Sequence, residues 1–146
     1  MTATLETFLC FSLYSASRAM TKTYQSVLEP LGLTYSQYIV LVSLWDKDDR
    51  RVGEIGAQLG LETNTLTPML KRMEAAGWVH RKRTPEDERQ VRVSLTEEGR
   101  ALRARAAHIP GEILKATGLS EDDARRLTHE MTVLRDRLLR QPSDVQ

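Results

Sequence analysis

Hydrophobic residues near the start of the chain recur with the period of a helix. Over residues 5–16 they fall at i, i+3, i+4, i+8 and i+11, with the small Ser12 at i+7, which is one stripe of an amphipathic helix. We expect this helix to run over residues 5–28, because Glu29-Pro30 stops it. A second helix is predicted over residues 36–46, and its apolar positions go nearly all the way round, which indicates burial on several sides.

Two short helices follow, and then the period changes. The pattern predicts a helix over residues 52–59, a tight turn at Gly60, and a helix that begins near Thr63 or Thr65 and ends at Gly77. Pro68 favours this late start, since proline is tolerated in the first turn of a helix. Residues 78–83 and 91–95 are predicted as strands around a polar turn. Two helices and a charged hairpin predict a winged helix-turn-helix over residues 34–95.

The remaining residues are predicted to be helical. Thr96 can cap one helix, Pro110-Gly111 should kink or break it, and Ser120 can cap another. An apolar stripe then marks the closing helix, and residues from Gln141 onward are predicted as a loose tail. The predicted fold class is mainly α with a small β-hairpin wing.

Charge is distributed unevenly along the chain. The 146 residues carry a net charge of only +1, yet the segment from Thr63 to Val93 holds seven Lys and Arg residues against four carboxylates. These charges could belong to a solvated helix followed by an ordinary charged hairpin, but the order of the elements favours a surface that contacts phosphates and bases. The predicted DNA-binding residues are Thr63, Asn64, Thr65, Thr67, Pro68, Lys71, Arg72, Arg81, Arg83 and Arg89.

The composition argues against a membrane span, an internal disulfide and a metal site. No stretch is long enough to span a bilayer, and residues 5–16 lack the basic start of a signal peptide, so we expect a cytoplasmic protein. Cys10 is the one cysteine, and it is accompanied by only three histidines, which argues against a disulfide within the chain and against a metal site. We predict no cofactor. From composition alone Cys10 is either an inert buried thiol or a redox trigger.

Several motifs together resemble a known family. Residues 66–77, followed by Arg81-Lys82-Arg83 and Asp87-Glu88-Arg89, resemble the MarR family of bacterial transcriptional regulators. The set Leu9-Cys10-Phe11, Tyr14, residues 20–22, Tyr24 and residues 34–38 is similar to one branch, the organic hydroperoxide resistance regulators. The resemblance implies a homodimer built from dimerisation helices at residues 5–30 and 97–140. Each subunit would bind half of a pseudo-palindromic operator in double-stranded DNA.

The resemblance also assigns roles to single residues. Cys10 matches the cysteine that an organic hydroperoxide oxidises, and Tyr24 and Tyr35 match the tyrosines that hold it. Arg89 matches the arginine of the wing, and Asp87 would brace the wing by pairing with Arg72. The second, resolving cysteine of some members is absent, so the sulfenic acid must persist, condense with a low-molecular-weight thiol or oxidise further.

The residues add a geometric requirement to this resemblance. An unperturbed thiol has a pKa of about 8.5, so a peroxide-reactive cysteine needs groups that stabilise the thiolate. No Lys or Arg lies within one helical turn of Cys10, which leaves tyrosine hydroxyls as the donors. Cys10 and Tyr24 are fourteen residues apart, or about 21 Å along one helix. If they bond, Tyr24 must come from a second subunit.

Three functions therefore stay open on sequence grounds. The first is a repressor that releases its operator when a hydroperoxide oxidises Cys10. The second is a repressor of the same family that a small aromatic ligand releases, with Cys10 as a spectator. The third is a thiol peroxidase with one cysteine, and the basic winged segment counts against it because an enzyme has no need of such a segment.

Overall fold

The computed structural model describes residues 3–141, except for the side chain of Glu88. Within this range the helices are α1 (Leu9–Leu28), α2 (Tyr35–Asp46), α3 (Val52–Leu59), α4 (Thr63–Ala75), α5 (Glu97–Arg105), α6 (Ile109–Thr117) and α7 (Glu121–Leu139). The strands are β1 (Arg50–Arg51), β2 (Val79–Thr84) and β3 (Asp87–Leu95), joined antiparallel in the order β1-β3-β2. The predicted fold class is confirmed. The chain forms two compact units, of which the first ends at Ile109 and the second begins at Pro110.

The first predicted helix is interrupted near its start. Leu5–Thr7 forms a 3-10 turn, Phe8 is extended at φ −84° and ψ 123°, and α1 begins only at Leu9. Phe8 has no side-chain acceptor, so the first free N–H groups of α1 lack a side-chain cap. The expected start at Leu5 was therefore wrong. The predicted end at Leu28 is confirmed, and Pro30 lies in a following 3-10 turn.

Helix α2 is fixed at its start by a reciprocal cap. The N–H of Gln37 donates to Thr34 Oγ1 at 3.2 Å, and the N–H of Thr34 donates to Gln37 Oε1 at 3.0 Å. The helix therefore begins at Tyr35, one residue earlier than expected. Four large side chains on it are buried, which confirms the burial on several sides: Tyr38, Val40, Leu41 and Leu44.

Helices α3 and α4 form the helix-turn-helix. Gly60 between them has φ +67°, a left-handed conformation that favours glycine. Helix α4 buries Leu66, Met69, Leu70 and Met73. It begins at Thr63, so Pro68 is its sixth residue rather than part of the first turn. The expectation for Pro68 was wrong: the helix continues through it without the bond that its missing N–H would make to the carbonyl of Asn64.

The end of α4 is a Schellman motif. Gly77 has φ +86°, its N–H donates to the carbonyl of Glu74 at 3.0 Å, and the N–H of Trp78 donates to the carbonyl of Met73 at 3.1 Å. This confirms the left-handed cap predicted at Gly77. The backbone of Trp78 is thereby tied directly to the last turn of α4.

The wing, which we define as β2, β3 and their connecting turn, is longer than the sequence predicted. Strand β3 begins at Asp87, and the register shifts between Arg83 and Thr84, next to a two-residue turn at Pro85 and Glu86. Strand β1 was not predicted, because two residues are too few to show a period. Arg50 pairs with Val93, which is fully buried.

Helix α5 is held against α2 and the end of α4. Thr96 Oγ1 accepts from the N–H of Gly99 at 2.9 Å and donates to the carbonyl of Gly77 at 2.6 Å. The indole N–H of Trp45 on α2 donates to the carbonyl of Gly99 at 2.9 Å. A Cβ at Gly99 would collide with the carbonyl oxygen of Trp78, so this approach requires glycine. The cap predicted at Thr96 is confirmed.

The second unit contains the closing helix α7. Ser120 Oγ accepts from the N–H of Asp123 at 3.1 Å, which confirms the predicted cap. Helix α6 begins at Ile109, so the break precedes Pro110 instead of lying at Pro110-Gly111; proline is tolerated in a first turn. Leu127, Leu138 and Leu139 are exposed by 45%, 62% and 77%. The predicted tail after Gln141 lies outside the described residues.

Across residues 3–141, no single helix is both long enough and apolar enough to cross a lipid bilayer.

Candidate nucleic-acid interface and thiol site

A groove of about 560 Å³ lies between α3, α4 and the wing. We call it the wing groove. Its lining combines hydroxyls, an amide and three guanidinium groups over an apolar floor of Val52, Leu70 and Val91. Groups of this kind bind phosphate oxygens and base edges. The polar residues that line it are Arg51, Glu54, Thr63, Thr67, Arg81, Arg89 and Gln90.

The outer face of α4 carries most of the predicted DNA-binding residues. Thr67 is half-buried, and the other predicted positions on this helix are exposed to solvent: Thr63, Asn64, Thr65, Pro68, Lys71 and Arg72. The buried stripe on the opposite face fixes this presentation, since Leu66, Leu70 and Met73 are fully enclosed. Helix α4 therefore presents a short polar and cationic face of the kind that a recognition helix uses.

Asp87 organises the tip of the wing. Its Oδ1 accepts from the N–H of Arg89 at 3.0 Å, and its carbonyl accepts from Thr84 Oγ1 at 2.7 Å. The expected pairing with Arg72 is not among the ion pairs of residues 3–141. Asp87 thus braces the wing through the backbone of Arg89, whose exposed side chain lines the wing groove.

Two arginines of the basic segment hold the wing in place. The N–H of Arg81 donates to Glu74 Oε2 at 2.9 Å, and its Nη2 lies 3.4 Å from Glu74 Oε1. Arg92 Nε lies 3.1 Å from Asp49 Oδ1, and its Nη2 donates to the carbonyl of Asp49 at 2.7 Å. Arg81 therefore ties β2 to α4, in addition to lining the wing groove. Arg83, also predicted to bind DNA, lines a smaller groove beside Lys71.

The sequence interpretation missed Arg51 and Gln90 in the wing groove. Arg51 Nη1 lies 3.4 Å from Gln90 Oε1, and Arg51 Nε donates to Glu54 Oε1 at 2.8 Å. The hydrogen bond from Arg51 to Glu54 lowers the pKa of the Glu54 carboxyl below its ordinary value. The Arg50-Arg51 doublet directly before α3 was the available signal.

We predict that Arg89→Ala weakens operator binding by about 1–3 kcal/mol, the loss expected for one specific arginine contact. Arg83→Ala should weaken specific and non-specific DNA binding alike and make the binding constant less dependent on salt, as loss of a phosphate contact does. Both are measured by titration of labelled duplexes at several salt concentrations. Arg105→Ala removes an exposed arginine of α5 that does not line the wing groove, and serves as the matched control. Wild-type binding by both wing variants would contradict the assignment of the wing.

The thiol lies far from the predicted tyrosines within one chain. Cys10 is exposed in the second position of α1, and Tyr24 follows fourteen residues later on the same helix. The rise of an α-helix separates them by about 21 Å. Tyr24 and Tyr35, by contrast, are in contact, with ring centroids 4.8 Å apart. The structure brings together the two tyrosines, which we call the sensor tyrosines, but not the cysteine.

A third ring, which the sequence interpretation missed, joins the sensor tyrosines. The ring of Tyr38 lies 5.8 Å from that of Tyr24, and Tyr38 follows Tyr35 by one helical turn. Burial, and then the neighbouring rings of Tyr38 and Tyr35, raise the pKa of Tyr24 above 10.0. Burial and Tyr35 raise the pKa of Tyr38 likewise. Tyr24 therefore keeps its proton at neutral pH and can donate a hydrogen bond to an anion.

Around Cys10 the first unit presents an apolar surface. Leu5, Phe8, Leu9 and Tyr14 are exposed by 53%, 44%, 59% and 58%. Arg18 Nη1 donates to the hydroxyl of Tyr14 at 3.2 Å, and its guanidinium carbon lies 5.6 Å from the centre of that ring. Tyr14 follows Cys10 by one helical turn, so a cation and a hydroxyl group lie on the thiol's side of α1. Exposed apolar area of this kind marks an interaction surface.

The raised pKa values predict the behaviour at alkaline pH. Tyrosines of the unfolded chain ionise near their ordinary pKa of 10.0, before Tyr24 and Tyr38 of the folded chain do. The free energy of unfolding should therefore fall as the pH rises above 10.0 and level off beyond the folded pKa values. Chemical denaturation at a series of pH values measures this slope. The Tyr24→Phe/Tyr38→Phe double variant should have a shallower slope, whereas Tyr14→Phe, outside the ring cluster, should match the wild type. An unchanged slope in the double variant would contradict the prediction.

In the part of the chain that the structure describes, no group of three or more His, Cys, Asp or Glu side chains could hold a metal ion. The described residues thus form a polar, cationic groove beside α4 and, separately, an accessible thiol.

Comparison with known proteins identifies the family of this chain. The family model for the transcriptional regulator SarA/Rot matches residues 22–105. The organic hydroperoxide resistance transcriptional regulator of Bacillus subtilis is 47% identical over 134 residues, which are 92% of this chain and 91% of that protein. The solved structure of reduced AbfR bound to DNA is 35% identical, covers 91% of this chain and 93% of that chain, and has a TM-score of 0.75; AbfR is a Staphylococcus epidermidis protein. MarR of E. coli is 26% identical over 87% of this chain and 96% of that one, with a TM-score of 0.67. The chain belongs to the MarR family of winged-helix transcriptional regulators, in the branch of the organic hydroperoxide resistance regulators.

Proposed function

We propose that this protein is a homodimeric repressor that binds a pseudo-palindromic operator in its reduced form and releases it when an organic hydroperoxide oxidises Cys10. As a regulator of chromosomal DNA it would act in the cytoplasm. The observation that carries the proposal is that Cys10 and Tyr24 lie near opposite ends of α1. The accessible thiol lies at the start of this helix, and Tyr24, whose ring contacts that of Tyr35, lies near its end.

A second copy of the chain completes the sensor in this proposal. If the α1 helices of two copies lie antiparallel, Cys10 of each copy comes next to Tyr24 and Tyr35 of the other. The uncovered leucines and aromatic rings around Cys10 supply an apolar surface for such a pairing. We assign residues 5–30 and 97–140 to the dimer and residues 34–95 to DNA binding. DNA would contact the polar face of α4, with Arg83 and Arg89 of the wing.

The chemistry uses one peroxide molecule per thiol. The thiolate sulfur bonds to the terminal oxygen of the hydroperoxide, the O–O bond breaks, and the leaving alkoxide takes up a proton to give an alcohol. Sulfur is oxidised to a sulfenic acid and the peroxide is reduced. The hydroxyl groups of Tyr24 and Tyr35 stabilise the thiolate by donating hydrogen bonds to it. Because no step restores the thiol, the protein consumes peroxide stoichiometrically, unlike a peroxidase.

At Cys10 a disulfide with a small thiol is a larger change than the addition of oxygen. Overoxidised AbfR, 37% identical to this chain over 90% of its length and 91% of that chain with a TM-score of 0.73, has been crystallised bound to DNA. Added oxygen alone is thus compatible with DNA binding in that relative. In our proposal the sulfenic acid condenses with a low-molecular-weight thiol and loses water, which forms a mixed disulfide. This adduct is bulkier than a sulfenic acid, so in the proposed dimer it would displace the sensor tyrosines from Cys10.

Titration of DNA before and after oxidation tests the proposal. The duplex is one selected from random DNA by the reduced protein, and the oxidant is one equivalent of cumene hydroperoxide, with and without free cysteine. We expect tight binding before oxidation and release afterwards, strongest with the free thiol. Mass spectrometry should find oxygen or cysteine added to Cys10.

Three results would contradict the proposal. The first is continued DNA binding by protein whose Cys10 carries a cysteine adduct. The second is release of the duplex without modification of Cys10. The third is consumption of many equivalents of peroxide, which would favour an enzyme.

A further inference from the structure

A chain of aromatic contacts leads from the sensor tyrosines to the far end of α2. The ring of Tyr24 contacts that of Tyr38 at 5.8 Å between centroids, and Tyr38 contacts Trp45 edge to face at 6.3 Å. Tyr38 and Trp45 are seven residues apart, two turns along the same helix. Tyr38 is only 6% exposed. Because close-packed interiors transmit displacement instead of absorbing it, movement at Tyr24 has to move these rings.

Trp45 is hydrogen-bonded to helix α5. The indole N–H donates to the carbonyl of Gly99 at 2.9 Å, across 54 residues of sequence. Arg103, one turn further along α5, donates from Nη1 to the carbonyl of Trp45 at 3.2 Å. The last turn of α2 is thus bonded to two successive turns of α5.

Gly99 and the cap of α5 contact the residues at which α4 ends. The carbonyl of Trp78 lies so close to Gly99 that no Cβ fits between them. The N–H of Trp78 bonds the carbonyl of Met73 in the last turn of α4, and Thr96 of the α5 cap bonds the carbonyl of Gly77. A shift of α5 therefore displaces the residues at which α4 ends.

We infer that Tyr38 and Trp45 are positioning residues that couple the sensor tyrosines to α4 through the hydrogen bond from the Trp45 indole to Gly99. This inference rests on the proposed function, since it presupposes that oxidation of Cys10 disturbs Tyr24 and Tyr35. An adduct at Cys10 displaces the sensor tyrosines, Tyr38 and Trp45 follow, and α5 then moves the end of α4. The two α4 helices of a dimer need a fixed spacing to fit successive major grooves, so a small displacement suffices for release.

The test compares Trp45→Phe with the wild type. Phenylalanine keeps an aromatic ring against Tyr38, and it removes the indole N–H together with part of the ring volume. We expect reduced Trp45→Phe to bind the selected duplex like the wild type, and cumene hydroperoxide with free cysteine to modify its Cys10 at the wild-type rate. The ratio of the oxidised to the reduced dissociation constant should fall by about three- to tenfold, the change that loss of one hydrogen bond allows. A wild-type ratio would overturn the inference.

A matched control separates coupling from stability. Val40→Ala removes fully buried volume from the same helix, outside the ring contacts. It should lower the melting temperature and leave the ratio of dissociation constants unchanged. A ratio that falls equally in Val40→Ala would mean that Trp45 acts only through stability, and the inference would be wrong. If the wild type itself is not released after modification, the proposed function fails; if the wild type is released and Trp45→Phe is released as easily, only the coupling fails.

Fluorescence keeps the inference testable if Trp45→Phe does not fold. The chain has two tryptophans, Trp45 and Trp78, and only the backbone of Trp78 takes part in the coupling. Trp78→Phe therefore leaves Trp45 as the sole indole. We expect its emission to change with the same time course as DNA release, and not to change when Cys10→Ser is added. Release without a change in Trp45 emission would overturn the inference.

Discussion

The Cys10→Ser variant is expected to bind operator DNA like the reduced wild type and to remain bound when organic hydroperoxide is added. Serine has nearly the size of cysteine but cannot form a sulfenic acid or a mixed disulfide. In the wild type, a shift of about 2.7 kcal/mol on oxidation corresponds to a hundredfold loss of affinity. Half-sites are about 34–36 Å apart, so a small rotation of each winged part misaligns the two α4 helices. Titration with and without cumene hydroperoxide and free cysteine measures both affinities.

The tyrosine variants are the controls for this result. Tyr24→Phe and Tyr35→Phe keep the rings and remove one hydrogen-bond donor each, so both should bind DNA and respond to peroxide more slowly than the wild type. Release of Cys10→Ser by hydroperoxide would show that oxidation of this thiol is not the signal. A repressor released by a small aromatic ligand would then be the better description.

Leu13→Asp and Leu134→Asp should each weaken the dimer by about 3–5 kcal/mol, the cost of an uncompensated charge in an apolar interface. Both leucines are half-buried in the single chain and lie on the helices that we assign to the dimer. Sedimentation at micromolar concentration measures the effect, and DNA binding should be lost together with the dimer.

His80→Asp is the control, because it places the same carboxylate at an exposed position of β2 in the winged part. It should sediment as a dimer. A monomeric wild type, or aspartate variants that remain dimeric, would contradict the proposed sharing of the sensor between two chains.

Much of the fold follows from local patterns in the sequence. Helix α3 and the ends of α1 and α4 could be predicted because glycine or proline marks each of them. The capping box of Thr34 and Gln37 was also present in the sequence, three residues apart, and would have placed the start of α2. Strand β1 could not be predicted, since a two-residue strand exists only through its partner β3. Likewise the break at Phe8 leaves the apolar stripe unchanged, so periodicity does not reveal it.

The candidate site was predictable by residue type but not by arrangement. The positions of Cys10, Tyr24 and Tyr35 could be assigned by resemblance, and the separation of Cys10 from Tyr24 follows from the helix rise alone. The ion pair of Arg81 with Glu74 joins β2 to α4, and that of Arg92 with Asp49 joins residues distant in sequence; both show that part of the basic segment stabilises the wing. The contact of Trp45 with Gly99 spans 54 residues and needs the folded chain to be seen.

The position of Cys10 and Tyr24 at opposite ends of α1 has a genetic consequence. In the proposed dimer each sensor takes its thiol from one chain and its tyrosines from the other. A cell that makes only Cys10→Ser, or only Tyr24→Phe, has no dimer with an intact sensor. A cell that makes both forms mixed dimers in which the cysteine of the Tyr24→Phe chain meets the tyrosines of the Cys10→Ser chain, while the other sensor loses both groups. Mixed dimers should therefore be released by peroxide at the wild-type rate, whereas the Cys10→Ser homodimers formed in the same cell should stay on the operator and keep the gene repressed.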